Sequence, residues 1–298
     1  MKILNYGSLN YDKVYQVPHF VQEGETLLCL EYQEFLGGKG LNQSLALARA
    51  GAEVYHAGAV GRDGQALMEV LEQSGVNTQY LQQLDGVSGH AIIQRCNGLN
   101  CIIVFGGANQ QVTRPQLTAV LDNFGEGDLL LLQNETSNVD FAITQAKKRG
   151  MLVAFNASPI TPALLKYPLD LVDYFLVNEV EGKALAGENS EDFHIILDAL
   201  VARFPNAHIV LTIGSNGVLY RDSSLTTSHK CYPVEVADTT AAGDTFTGYF
   251  LASLARGYDI DKCLATASMA GAISVSRNGA STSIPTMEEV AAFAKQNT

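Results

Sequence analysis

The chain has 298 residues, 47% of them hydrophobic and 17% charged, with a formal net charge of −12. That length allows a large buried core, in one large α/β domain or two smaller ones, and the acidity argues against a nucleic-acid or anionic-membrane partner. No apolar run approaches the roughly 20 residues of a membrane span, Met1-Lys2-Ile3-Leu4 has no signal-peptide pattern, and Cys29, Cys96, Cys101, Cys231 and Cys263 lack metal-ligand or redox spacing, so a cytoplasmic protein with reduced thiols is expected.

Lys2 to Leu9 reads as a buried strand, followed at its C-terminal end by Asn10-Tyr11-Asp12. Ligands of open α/β sheets bind outside those ends, so Asn10 and Asp12 are candidate contacts; a plain Asn/Asp turn is the alternative. From Lys13 to Phe35, aromatic and β-branched residues alternate with charges around Gly24, a pattern of short antiparallel strands and a small separate sheet. Gly37-Gly38-Lys39-Gly40-Leu41-Asn42 then opens a helix that carries Leu45, Leu47 and Ala48 and ends near Gly51. It is no Walker A loop: Gly40 follows Lys39 where Ser or Thr is needed, and Gln33 stands where a glycine is needed. Glu53 to Val60 is a second strand, and Gly61-Arg62-Asp63-Gly64 leads into a helix ending near Gly75. Gly58, Gly61 and Gly64 lack the dinucleotide spacing and read as turn residues. Ser88 to Phe105 alternates like a hairpin about Asn97-Gly98 and would complete the small sheet.

From Thr113 onward helices and strands alternate. Asp128 to Leu132 is a continuous apolar run, as in a strand covered on both faces, and Gln133-Asn134-Glu135 brings Glu135 to the same edge as Asp12. Met151 to Phe155 ends in Asn156, and Tyr174 to Val177 ends in Asn178-Glu179-Val180-Glu181, where a carboxylate in a first helical turn complements the dipole. Ile209 to Ile213 precedes the Gly214-Ser215-Asn216-Gly217 turn and a strand from Val218 to Tyr220.

Asp238-Thr-Thr-Ala-Ala-Gly-Asp-Thr-Phe246 runs into a helix that begins at about Thr240 to Ala242 and buries Phe246, Phe250, Leu251 and Leu254. Gly243 costs about 1 kcal/mol relative to alanine in that first turn, a cost that makes sense where something approaches the backbone. The unpaired N–H groups there form an anion site. Asp244 would lie beside that anion or serve only as a cap and dipole partner; Thr239 or Thr240 is expected to supply a cap already. Another helix, from about Asp259 to Ser276, follows, with Gly279 as its stop.

Two of these stretches, Gly37 to Asn42 and Asp238 to Phe246, closely resemble the N- and C-terminal signatures of the ribokinase-like family of carbohydrate kinases. The resemblance extends from Gly7 to about Pro285, and Gly106-Gly107-Ala108-Asn109 shares in it. It implies a single three-layer domain over residues 1–298, with a mostly parallel central sheet flanked by helices. Segments at about 12–35 and 88–107 would form a β-sheet lid over the sugar and a homodimer surface.

By the same resemblance Asp244 is the base, and the backbone of Ala241, Ala242 and Gly243 forms the anion hole. Asn10, Asp12, Gly38, Lys39, Asn42 and Glu135 hold the sugar. Asn178 and Glu181 order the water shell of magnesium, and Thr212, Gly214 and Ser215 join Asn178 and Gly243 along ATP. Potassium, as an activator, is held by Asp238, Thr240, Ser274, Arg277, Gly279 and Ser283, mostly through backbone oxygens. The implied reaction moves the ATP γ-phosphoryl group to a primary hydroxyl of a small sugar, D-ribose giving D-ribose 5-phosphate. Deoxyribose, fructose or a nucleoside are alternatives, the last with Tyr11 as an aromatic platform. No basic residue in these positions looks dedicated to a substrate phosphate. A sugar-binding sensor without catalysis is the remaining alternative, and Asp244, Gly243 and Asn178-x-x-Glu181 argue against it.

Overall fold

Leu129, Leu130, Leu131 and Leu132 are all fully buried, yet Leu130 and Leu132 pack into one hydrophobic cluster and Leu129 and Leu131 into another. The period of two along a strand therefore sets one sheet between two cores. In the computed structural model, which describes residues 1–297, the N-terminal half runs β1 (Ile3–Tyr6), β2 (Asn10–Gln16), β3 (Glu31–Gly37), α1 (Lys39–Arg49), β4 (Val54–Val60), α2 (Gln65–Gln73), β5 (Asn77–Gln83), β6 (Gly89–Cys96), β7 (Leu99–Phe105) and α3 (Arg114–Leu121). There follow β8 (Leu129–Gln133), α4 (Val139–Lys148), β9 (Leu152–Asn156), β10 (Tyr174–Asn178), α5 (Glu179–Ala186), α6 (Phe193–Arg203), β11 (His208–Thr212), β12 (Val218–Arg221), β13 (Thr226–His229), α7 (Ala242–Ala255), α8 (Ile260–Val275) and α9 (Met287–Gln296).

The large sheet has nine strands in the order β13-β12-β11-β10-β9-β8-β1-β4-β5. From β5 to β11 all neighbours are parallel, and β12 and β13 add antiparallel strands at one edge. Helices α3 to α6 cover one face and α1, α2, α7, α8 and α9 the other. The expected three-layer α/β architecture is present. A second sheet, β3-β2-β6-β7, has four strands, with β2 and β6 parallel and the outer pairs antiparallel. Its β6–β7 hairpin turns at Asn97 and Gly98, both at positive φ, as a tight two-residue turn requires.

Several boundaries differ from expectation. The first strand stops at Tyr6, and Asn10 to Asp12 form neither its end nor a turn but the start of β2 in the small sheet. The edge strands β5 and β13 and the helix α9 were not anticipated. β5 reads Asn-Thr-Gln-Tyr-Leu-Gln-Gln and β13 Thr-Thr-Ser-His, and polar edge strands give little hydrophobic periodicity to read. Gly279 is left-handed at φ 95 but lies beyond the end of α8, whose C-cap is Ser276.

Candidate functional site

The parallel strands β1, β8, β10 and β11 deliver their C-terminal ends to one edge, where two cavities of about 590 and 220 Å³ meet. Lys39, Ala241 and Asp244 line both. The larger also takes in Asn10, Asp12, Gly38, Asn42 and Glu135, with Asp238, Thr240 and Gly279 on its far wall. The smaller takes in Asn178, Glu181, Thr212, Ala242 and Gly243. Gly214, Ser215, Ser274, Arg277 and Ser283 line neither.

The turn from β3 into α1 fits its position closely. Gly38 has φ 96, and a Cβ there would stand 2.9 Å from the Ser8 carbonyl oxygen; at Gly37 a Cβ would meet the Asp12 carboxylate at 2.1 Å. The chain therefore passes close beneath Asp12. Asn42, in the first turn of α1, donates from Nδ2 to Asp244 Oδ2 at 3.0 Å, and Gln43 donates from Nε2 to Oδ1 at 2.8 Å. The remaining atom of the Asn42 amide, Oδ1, is buried without a partner, an unmet acceptor on the wall of the larger cavity. Glu135 Oε2 accepts from the Ser8 hydroxyl and, at 3.2 Å, from the Lys39 N–H. Asn10 Oδ1 accepts from Asn109 Nδ2 at 2.8 Å.

Charge is concentrated here. Burial pushes the Asp12 carboxyl up, and the neighbouring Glu135 and Asp244 carboxylates add to this against the pull of Lys39, bringing it to about 6. Burial alone would lower the Lys39 ammonium, but Asp244, Glu135, Glu181 and Asp12 outweigh it and hold Lys39 above the usual lysine value. One cation among four carboxylates thus stays charged.

Helix α7 begins without the threonine cap expected. Its N-cap is Ala241, left-handed at φ 59, and no side chain caps it; Thr240 instead donates from N and Oγ1 to Asp238 Oδ1. The Gly243 and Asp244 N–H groups have no acceptor among the described residues, and a Cβ at Gly243 would meet nothing within 4 Å. The result is an open, positively polarised helix end beside the smaller cavity. On the opposite wall Asn178 and Glu181 form a capping box over α5: Glu181 N donates to Asn178 Oδ1 at 2.9 Å, and the Glu181 oxygens accept from Asn178 N and Nδ2.

Of the positions ascribed to a monovalent cation, Asp238, Thr240 and Gly279 line the larger cavity and Ser274, Arg277 and Ser283 do not. Asp238 Oδ2 accepts from Gly279 N at 3.2 Å, and burial is offset by the Thr240 and Gly279 donors, which hold the Asp238 carboxyl below its usual range. The Ser274 and Ser283 hydroxyls are bonded to one another at 2.9 Å, and the Arg277 guanidinium is engaged by Glu289.

Ser8, Gln43 and Arg95 carried no signal that the sequence reading used, and Asn109, though in a stretch that shares the resemblance, was given no role. Gln43 neighbours Asn42 on a helix that is otherwise apolar on that side, which was its one available signal. Arg95, on β6, brings a cation to the wall of the larger cavity beside Ile93, Ile102 and Val104. Tyr11 proves to be no platform: it is buried on the other face of β2 and donates its hydroxyl to the Asp63 carbonyl at 2.6 Å. Phe35 is the ring that lines the cavity.

A profile described as "pfkB family carbohydrate kinase" matches residues 1–287. The chain is 34% identical to a ribokinase of Haemophilus influenzae over 295 residues, 96% of each protein. It is 34% identical to a ribokinase of Bacillus subtilis over 289 residues, 95% of this chain and 96% of that one. Among solved structures, Arabidopsis thaliana ribokinase complexed with ribose and ATP superposes with a TM-score of 0.89 at 29% identity, covering 98% of both chains.

Proposed function

This chain belongs to the pfkB family of carbohydrate kinases, and from that premise we propose that it transfers the γ-phosphoryl group of ATP to the primary hydroxyl of a pentose, D-ribose giving D-ribose 5-phosphate. The observation that carries this reading is the place of Asp244, on the wall shared by both cavities. The relatives named ribokinase favour ribose over other sugars.

In this reading the sugar occupies the larger cavity. Asn10, Asp12, Glu135 and the free Asn42 Oδ1 accept from its hydroxyls, while Lys39 and the Gly38 backbone donate. The triphosphate occupies the smaller cavity beside Thr212, the rest of ATP reaching Gly214 and Ser215 outside that cavity's lining, with its γ-phosphoryl against the backbone of Ala241, Ala242 and Gly243 and the unpaired N–H groups of Gly243 and Asp244. Phosphoryl transfer passes through a loose transition state, so positioning and charge stabilisation supply most of the rate. Asp244 takes the hydroxyl proton as the sugar oxygen bonds to the γ-phosphorus and the bond to the bridging oxygen of ADP breaks, and the end of α7 meets the charge gathering on the phosphoryl oxygens. Magnesium bound with ATP would neutralise phosphate charge, and Asn178 and Glu181, which line the smaller cavity, would order its water shell. Potassium activation follows if Asp238 and the backbone oxygens of Thr240, Ser274, Arg277, Gly279 and Ser283 hold that ion.

The small sheet acts as the lid, its segments at 12–35 and 88–107 covering the sugar with Val14, Ile93 and Val104. Its outer face carries Leu99, Ile103 and Phe105, 64%, 61% and 52% exposed, and a homodimer through this face goes with the reading. No described helix is long and apolar enough to cross a membrane, and a cytoplasmic location goes with ATP as donor. ADP release with ribose, 2-deoxyribose, fructose, a nucleoside and a phosphosugar, in potassium or in sodium, tests the proposal; Arg95 and Phe35 are the reasons for the last two acceptors. Turnover fastest with ribose and faster in potassium is expected. Turnover with another acceptor only would correct the sugar, and sugar binding without turnover would leave a sensor.

A further inference from the structure

Behind Asp244 runs a chain of fully buried amides that the reaction itself does not use. Gln43 donates to Asp244 Oδ1, and its Oε1 accepts from Gln133 Nε2 at 2.6 Å. Gln133 Nε2 also donates to Asn5 Oδ1 at 2.9 Å. Asn5 Nδ2 in turn donates to the Gly40 carbonyl and to Ser44 Oγ, both at 2.8 Å. Asn5, Gln43, Gln133 and Ser44 are each 0% exposed.

The direction of this chain is forced. A backbone carbonyl can only accept, so Gly40 O requires the Asn5 amide to turn its NH₂ toward α1. Asn5 Oδ1 then faces Gln133 and requires the Gln133 NH₂, which also meets Gln43 Oε1. Gln43 is left with its NH₂ toward Asp244. Turning any one amide over would set two acceptors or two donors face to face inside the core. The arrangement carries a visible cost: Gln133 Oε1 is buried with no partner, which an amide free to choose would avoid.

We propose that Gln43 is a positioning residue for Asp244, and that Gln133 and Asn5, anchored on the Gly40 carbonyl, fix which way its amide points. With Asn42 holding Oδ2 and Gln43 holding Oδ1, the carboxylate plane is set from one side. Its remaining lone pairs face the junction of the two cavities. The start of α1, which carries sugar-side residues, is thereby coupled to the orientation of the base. The proposal rests on Asp244 being the base.

The test is steady-state kinetics of the full chain with ribose and ATP, for Gln43→Met, Gln133→Met, the double variant and Asp244→Asn. Loss of one hydrogen bond to a charged group predicts that Gln43→Met lowers kcat roughly 10- to 100-fold, with both KM values nearly unchanged. Gln133→Met, which touches no substrate, lowers kcat as well, and the double variant is no slower than Gln43→Met alone, because the distal residue acts only through the proximal one. Unchanged kcat in Gln43→Met, or losses that multiply in the double variant, would overturn the proposal. Should Gln43→Met fail to fold, Gln43→Glu keeps size and polarity but faces Asp244 with an acceptor, and full activity there overturns it equally. Asp244→Asn separates the two levels: if it keeps its turnover, the base assignment and the relay fall together; if it loses turnover while Gln43→Met does not, the relay alone falls.

Discussion

Asp12 and Asp244 are carboxylates of one cavity with different surroundings, and they predict different behaviour. Asp12 is held at about 6 by burial and by Glu135 and Asp244, above an ordinary aspartate near 4. Because the folded value is the raised one, its protonated form favours folding. That contribution is full below about pH 4 and lost as pH rises through 6. Asp12→Asn removes the effect, so variant and wild type should have similar stability near pH 4, with the variant more stable by about 1–3 kcal/mol at pH 8; urea unfolding at the two pH values measures the difference. The same titration predicts that KM for the sugar falls as pH rises through about 6, since the ionised carboxylate accepts hydroxyl hydrogen bonds more strongly than the protonated acid. Asp244→Asn should lower kcat roughly 10²- to 10⁴-fold, the usual span for loss of a general base, with KM for the sugar little changed; an undiminished kcat would remove the assignment. Asn42, Lys39 and Asp244 were legible because each sits in a contiguous motif. Gln43 was not, because what defines it is a partner 201 positions away, and Arg95 gave no local signal on its strand.

At the scale of elements, α7 shows how a helix start can be legible while its cap is not. Periodicity placed the helix, but Thr239 and Thr240 looked like caps only because their chemistry fits; in the fold Asp238 takes Thr240, and Ala241 turns left-handed instead. That leaves the Gly243 and Asp244 N–H groups bare. Gly243→Val should therefore fold with little change in melting temperature, nothing standing within 4 Å of the new Cβ, yet raise KM for ATP severalfold. A variant that melts early but binds ATP normally would mean the glycine serves the helix. The small sheet offers a second test. Leu99, Ile103 and Phe105 project from β7 opposite to Ile102 and Val104, which face the cavity. An exposed apolar strand face of this kind favours association, so Ile103→Lys should shift a homodimer to monomer in light scattering; an unchanged mass would place the interface elsewhere. The hairpin about Asn97-Gly98 was readable from its turn residues, whereas β5 and β13 were not, being polar strands at sheet edges.

Taken whole, the molecule puts a net charge of −12 on a protein that must bind a triphosphate. The fold answers this locally, with the bare end of α7 and the charged Lys39 facing the junction. The α/β class was legible from apolar strands alternating with helices, whereas the two signatures follow β3 of the small sheet and the antiparallel β13, so their meeting belongs to the assembled fold. The meeting of two cavities at a single carboxylate could be known only from the assembled sheet. The central claim is that this carboxylate directs the γ-phosphoryl group onto the primary hydroxyl of a pentose. ³¹P NMR of the product made from ATP and D-ribose tests it most directly. The account predicts a phosphomonoester signal split into a triplet by the two C5 protons. A doublet from phosphate on the anomeric carbon, or inorganic phosphate alone, would contradict it.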